Sequence, residues 1–130
     1  MEVELLDAEQ AAPAPPAALD ERTRLTVLVV AAEADLRRYV RECLRERTDL
    51  YLLEAATVAA AVTLAANYAP ELLVVDEPES DIRVRLAELR AIVIVDDVPR
   101  GAPASGTRLR LLVRPFTAEA LVAEVGRLLG

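Results

Sequence analysis

The residues with chemistry to offer stand at the ends of apolar runs. The run ELLVV closes on Asp76, AIVIV is followed by Asp96 and Asp97, and LRLLV leads into Arg114. A fourth run, LTVLVV, is followed by Ala31 and Ala32 and then Glu33. Two neighbouring carboxylates raise each other's pKa unless a cation lies between them, and Arg114 suits that role. Asp76, Asp96 and Arg114 therefore form a candidate ion-pair cluster. The same carboxylates, with Glu33, suggest a second chemistry, an oxygen-ligated site for a divalent cation. The chain has no histidine, the usual general base near neutral pH, and a single cysteine, Cys43. Zinc chemistry and an intrachain disulfide are thereby disfavoured or excluded, and the expectation is that the protein is not an enzyme. The segment GAPASG is too broken by proline, and too short of lysine, to cradle a phosphate as a P-loop does.

These strand-end residues need a scaffold that brings them together. The 130 residues suffice for one domain, and the 54% hydrophobic content suffices for its core. LTVLVV, LYLLEA, ELLVVD, AIVIV and LRLLV read as buried strands, being short and rich in β-branched residues. Between them lie helical patterns. Leu36, Tyr39, Val40, Cys43 and Leu44 share one face of the first; Val58, Ala61, Val62 and Ala65 line the second, which Pro70 ends. A short helix points Ile82, Leu86 and Leu89 inward. The last helix, capped by Thr117, turns Leu121, Val122, Val125, Leu128 and Leu129 inward. Strand–helix alternation implies a parallel sheet covered on both faces, with its functional crevice beyond the carboxyl ends of the strands. Arg37, Arg38, Arg41 and Arg45 alternate with Glu42 and Glu46, the pattern of a solvated face with i,i+4 pairs.

Residues 1–23, with the stretch AAPAPPAALDER, are expected to form a flexible acidic arm, and residues 24–130 the domain. DDVPRGAPASGT reads as a loop or a broken helix. The net charge of −7 argues against binding nucleic acid. No apolar run has the ~20 residues of a membrane span, and the acidic start is unlike a secretory signal, so a cytoplasmic protein is expected. All 15 basic residues are arginine, a compositional bias that weakens any argument from a lysine-to-arginine difference.

From about Leu25 to Leu129 the chain resembles the receiver domains of bacterial response regulators. VLVVAAEADLRRYVRECL is similar to the family's opening strand and helix, PELLVVDEPES to its third strand, and LLVRPFTAEALVAEVGRLL to its fifth strand, Lys-Pro-Phe turn and final helix. The resemblance implies an α/β three-layer sandwich of flavodoxin type, with a doubly wound five-stranded parallel sheet in order 2-1-3-4-5. It implies a cis bond between Arg114 and Pro115, and it makes Asp76 the phosphoacceptor candidate.

The departures fall on the chemistry. The family's acidic pair, which holds Mg²⁺, is replaced by Ala31 and Ala32, so no metal cofactor is expected. Asp96 stands where the family has a hydroxyl, Leu111 where it has an aromatic switch residue, and Arg114 where it has lysine. The expectation is a stand-alone pseudo-receiver that signals through protein–protein contact, with neither nucleic acid nor membrane as a partner. Its partner would be a kinase, phosphotransfer or output protein, and a homodimer is a further form considered. The contact surface that the resemblance implies is the face of the fourth helix, fifth strand and fifth helix, here remodelled by the DDVPRGAPASGT loop. Two other readings stand beside it: a working phosphorelay regulator phosphorylated on Asp76, and a small-molecule or nucleotide binder in the strand-end crevice.

Overall fold

The computed structural model describes residues 25–97 and 108–129. The expected arm over residues 1–23 and most of the DDVPRGAPASGT segment lie outside the described residues. Strands β1 (Leu25–Val30), β2 (Leu50–Ala55), β3 (Leu72–Asp76), β4 (Arg90–Val95) and β5 (Leu109–Val113) form one parallel sheet in the order β2-β1-β3-β4-β5. Helices α1 (Ala34–Cys43) and α4 (Ala118–Leu129) cover one face; α2 (Val58–Tyr68) and α3 (Ile82–Arg85) cover the other. The five runs read as strands are the five strands, to within a residue at their ends.

Two cores flank the sheet because strand side chains alternate between its faces. On the α1/α4 side, Val27, Val29, Leu72, Val74, Ile92 and Ile94 pack with Leu36, Val40, Leu121, Val125 and Leu128. On the other side, Leu28, Val30, Leu73, Val75, Val93 and Val95 pack with Ala61 and Ile82. Each fully buried valine, leucine or isoleucine among them contributes roughly 1.5–3 kcal/mol. β3 is buried along its whole length, which explains why its sequence shows no polar alternation.

Local signals set the helix limits. The Thr57 hydroxyl accepts from the Ala60 N–H at 3.1 Å and caps α2, whose other end turns at Ala69 in the left-handed region (φ 47°), ahead of Pro70. The Thr117 hydroxyl caps α4 by accepting from Ala120 N–H at 3.0 Å. α3 is shorter than its pattern suggested. A single 3-10 turn over Glu77–Glu79 precedes it, and Leu86 and Leu89 reach the core from beyond its end. Pro78 inside that turn removes a backbone donor.

Two readings of α1 need correction. Tyr39 is 43% exposed rather than part of the buried face, because its ring lies at the rim beside Phe116. The arginines do not form i,i+4 pairs. Arg38 pairs with Asp35 and Arg45 with Glu42 at i,i+3 spacing, whereas Arg37 and Arg41 both reach Glu54 of β2. A carboxylate on an edge strand beside the helix offers a better partner than water, so the face is partly tied down. Cys43 is buried in the core as expected, and burial pushes its thiol pKa up.

Candidate functional site

Register and pleat together assemble the site. β1 and β3 run side by side with Val30 opposite Val75, so the next residues, Ala31 and Asp76, stand together at the strand ends. β4 and β5 pair Val95 with Val113, which brings Asp96 beside Arg114. Alternation then puts all four on the α1/α4 face, the face shared by Val29, Val74, Ile94 and Leu112. Leu111 falls on the opposite face, packed against the α2/α3 core.

Arg114 is the centre of the arrangement. Its Nη2 lies 3.4 Å from Asp76 Oδ1, its Nε donates to Asp96 Oδ1 at 3.2 Å, and its Nη1 lies 3.8 Å from Glu33 Oε1. The three carboxylates come from the ends of three strands, and they differ in their access to water. The side chain of Asp76 is 6% exposed, against 69% for Glu33 and 77% for Asp96; that of Arg114 is 30% exposed. Asp76 is thus the one acid for which the ion pair is held away from solvent. Its Oδ1 also accepts from the Glu77 N–H at 3.1 Å.

Burial raises the Asp76 pKa. Arg114 and the Glu77 N–H pull it back down, and Glu33 and Asp96 push it up a little further. Desolvation wins, so the charged form of Asp76 is held at a cost even with the guanidinium beside it.

The turn after β1 has its own brace. Arg37 Nη1 donates to Ala31 O at 2.6 Å and to Ala32 O at 3.3 Å, while its Nε lies 3.5 Å from Glu54. A half-buried guanidinium therefore caps the carbonyls of the two alanines. Sequence reasoning placed Arg37 on a solvated face and missed this contact. The available signal was Glu54, a charge inside the otherwise apolar LYLLEA, which calls for a cation nearby. Glu33, a candidate metal ligand by its sequence position, lies instead within reach of Arg114.

The Mg²⁺ implied by the sequence resemblance does not fit these residues. Mg²⁺ needs several oxygen ligands in near-octahedral geometry. Here two methyl groups stand where the acidic pair would be, and a guanidinium lies against the Asp76 carboxylate. Among the described residues no group of three or more acidic, cysteine or histidine side chains is arranged to hold a metal ion. The Arg114–Pro115 bond is cis, as the resemblance implied.

No protein-family model matches the sequence, and no curated protein matches it significantly. Solved structures do match its shape. The chemotaxis response regulator CheY4 of Vibrio cholerae is similar with a TM-score of 0.65 at 18% identity, over 82% of this chain and 100% of that one. The receiver domain of the hybrid histidine kinase CckA gives 0.62 at 22% identity, over 81% and 99%. The isolated REC domain of RcsB from Salmonella enterica serovar Typhimurium gives 0.63 at 11% identity, over 79% and 86%. The fold is the CheY-like flavodoxin fold. Among the described residues no helix is long and apolar enough to cross a membrane.

Proposed function

We propose that this protein is a receiver-like module of two-component signalling that acts through protein–protein contact and does not depend on a phosphorylation cycle. The observation that carries the reading is Arg114, whose guanidinium joins buried Asp76 to Glu33 and Asp96 at the strand ends. In this reading the cluster is a resident charge arrangement that occupies the place of a phosphate-dependent switch. Phosphoryl transfer to Asp76 needs a cation to neutralise the charge that develops on the transferring group. The alanines at 31 and 32 offer no ligand for a divalent cation, Arg114 is shared among three carboxylates, and Asp96 would repel an incoming phosphoryl group.

The likeness in shape to a chemotaxis response regulator and to the receiver domain of a histidine kinase supports the signalling context. A kinase, phosphotransfer or output protein is the class of partner that goes with it, and the cytoplasm the setting. The module performs no catalysis of its own.

One observation favours a second reading. Asp76 keeps the phosphoacceptor position at the end of β3, with a cation 3.4 Å away that could take up phosphoryl charge. Incubation with a small acyl phosphate and Mg²⁺, followed by intact mass spectrometry, separates the two. The proposed function predicts no added phosphoryl mass; a Mg²⁺-dependent adduct abolished by Asp76→Asn would establish the phosphoacceptor instead.

A further inference from the structure

Arg114 can hold its carboxylates only while its backbone is fixed, and the structure fixes it from both sides. Upstream, the Arg114 N–H donates to Val95 O at 2.8 Å, continuing the β4–β5 ladder. Downstream, the chain passes through Pro115 to Phe116, whose ring is buried. The Phe116 carbonyl accepts a hydrogen bond of 2.6 Å from the Tyr39 hydroxyl, reaching across from α1. The two rings also pack, with centroids 5.3 Å apart and planes at 55°.

Tyr39 is an unusual choice for this position if packing were its whole purpose. A leucine or phenylalanine would cover Phe116 as well, whereas the hydroxyl adds a directed bond to a backbone carbonyl two residues beyond Arg114. The Tyr39 side chain is at the same time 43% exposed, so one residue touches both the outer surface of α1 and the turn that carries the guanidinium.

We propose that Tyr39 is a positioning residue for the Arg114 cluster, its hydroxyl latching the turn at Arg114–Phe116 to α1. A change at the exposed edge of α1, such as a partner covering Tyr39, then alters how firmly Arg114 holds its carboxylates. This inference rests on the reading of the Arg114 cluster as the resting state of the functional corner.

The test is solvent exchange of the Arg114 Nε–H, the donor to Asp96, followed by ¹⁵N NMR on the full chain. Tyr39→Phe keeps the ring and removes the hydroxyl. Thr57→Ala, which removes the cap of α2 on the other face of the sheet, serves as a control for general loosening. The expected result is faster Arg114 Nε–H exchange in Tyr39→Phe, by up to about twofold, the protection that a largely solvent-exposed pair with Asp96 gives. Thr57→Ala should leave the exchange at the wild-type rate. Equal exchange in Tyr39→Phe and wild type, or equal acceleration by Thr57→Ala, overturns the latch and leaves the proposed function standing. An unprotected Nε–H in the wild-type protein overturns the cluster reading itself. Coupling is reciprocal, so Arg114→Gln should shift the Tyr39 ring resonances, although the two side chains are separated by the turn. Unchanged Tyr39 resonances in that variant also overturn the latch.

Discussion

Replacing Arg114 with alanine leaves the Asp76 carboxylate, 6% exposed, without the guanidinium 3.4 Å away. At that separation, with an effective dielectric of about 20, the attraction is on the order of 5 kcal/mol before desolvation is counted. Several effects reduce it. Arg114 is itself 30% exposed and recovers hydration when released from the pair. Glu33 and Asp96 lie mostly in water, so each of their pairs is worth at most about 0.5 kcal/mol. Asp76 can also take up a proton in the variant, which caps the cost of stranding it. The net loss at pH 7 is therefore about 1–3 kcal/mol. Its pH dependence follows from the direction of the Asp76 shift. Burial raises the Asp76 pKa in the folded protein, so ionisation destabilises the fold as pH rises through that value, and this cost is absent below the unfolded value. Losing Arg114 raises the folded pKa further and enlarges the cost. The gap between wild type and variant should thus be widest near neutral pH and close as pH falls below the ordinary aspartate range. Urea unfolding across a pH series measures it. A gap at pH 7 below about 0.5 kcal/mol, or one that does not change with pH, would refute the reasoning.

Asp76→Asn alone should raise stability at neutral pH by up to about 1 kcal/mol, because it removes a charge whose burial outweighs its pairing; a loss of that size in chemical unfolding would contradict the direction of the shift. Combined with Arg114→Ala it should cancel most of the cost of the single arginine change, a non-additivity that a double-mutant cycle detects. Glu54→Ala removes the carboxylate shared by Arg37 and Arg41 and should cost about 1 kcal/mol, with faster amide exchange in the first turn of α1. Leu28→Ala, at a fully buried position between β1 and the α2/α3 layer, should cost about 2–5 kcal/mol while leaving the Arg114 contacts intact.

The fold was legible because its signals are local and repeated. Short β-branched runs, proline and threonine at helix ends, and apolar helix faces each agree with the elements observed, while the sheet order was implied by the resemblance to receiver domains. The pairing of Arg114 with Asp76 and Asp96 was legible too, since register follows once strands are parallel and end at those residues. What the sequence hid depends on side-chain reach. Arg37 looks like its neighbours Arg38 and Arg41, yet it turns inward to the Ala31 and Ala32 carbonyls. Tyr39 has the spacing of a core residue, but its hydroxyl seeks a carbonyl at the rim. The shortness of α3 goes with Leu86 and Leu89 finding the core from beyond the helix end, which periodicity alone does not resolve.

The central claim is that the strand-end corner is held by Arg114 and does not respond to a phosphoryl group. An amide-resolved NMR titration with Mg²⁺, then with beryllofluoride as a phosphoryl mimic, tests it most directly. No change centred on Asp76 is expected with either addition. Shifts that begin at Asp76 and spread to Arg114 and Leu111 would contradict it and establish a phosphorylation switch.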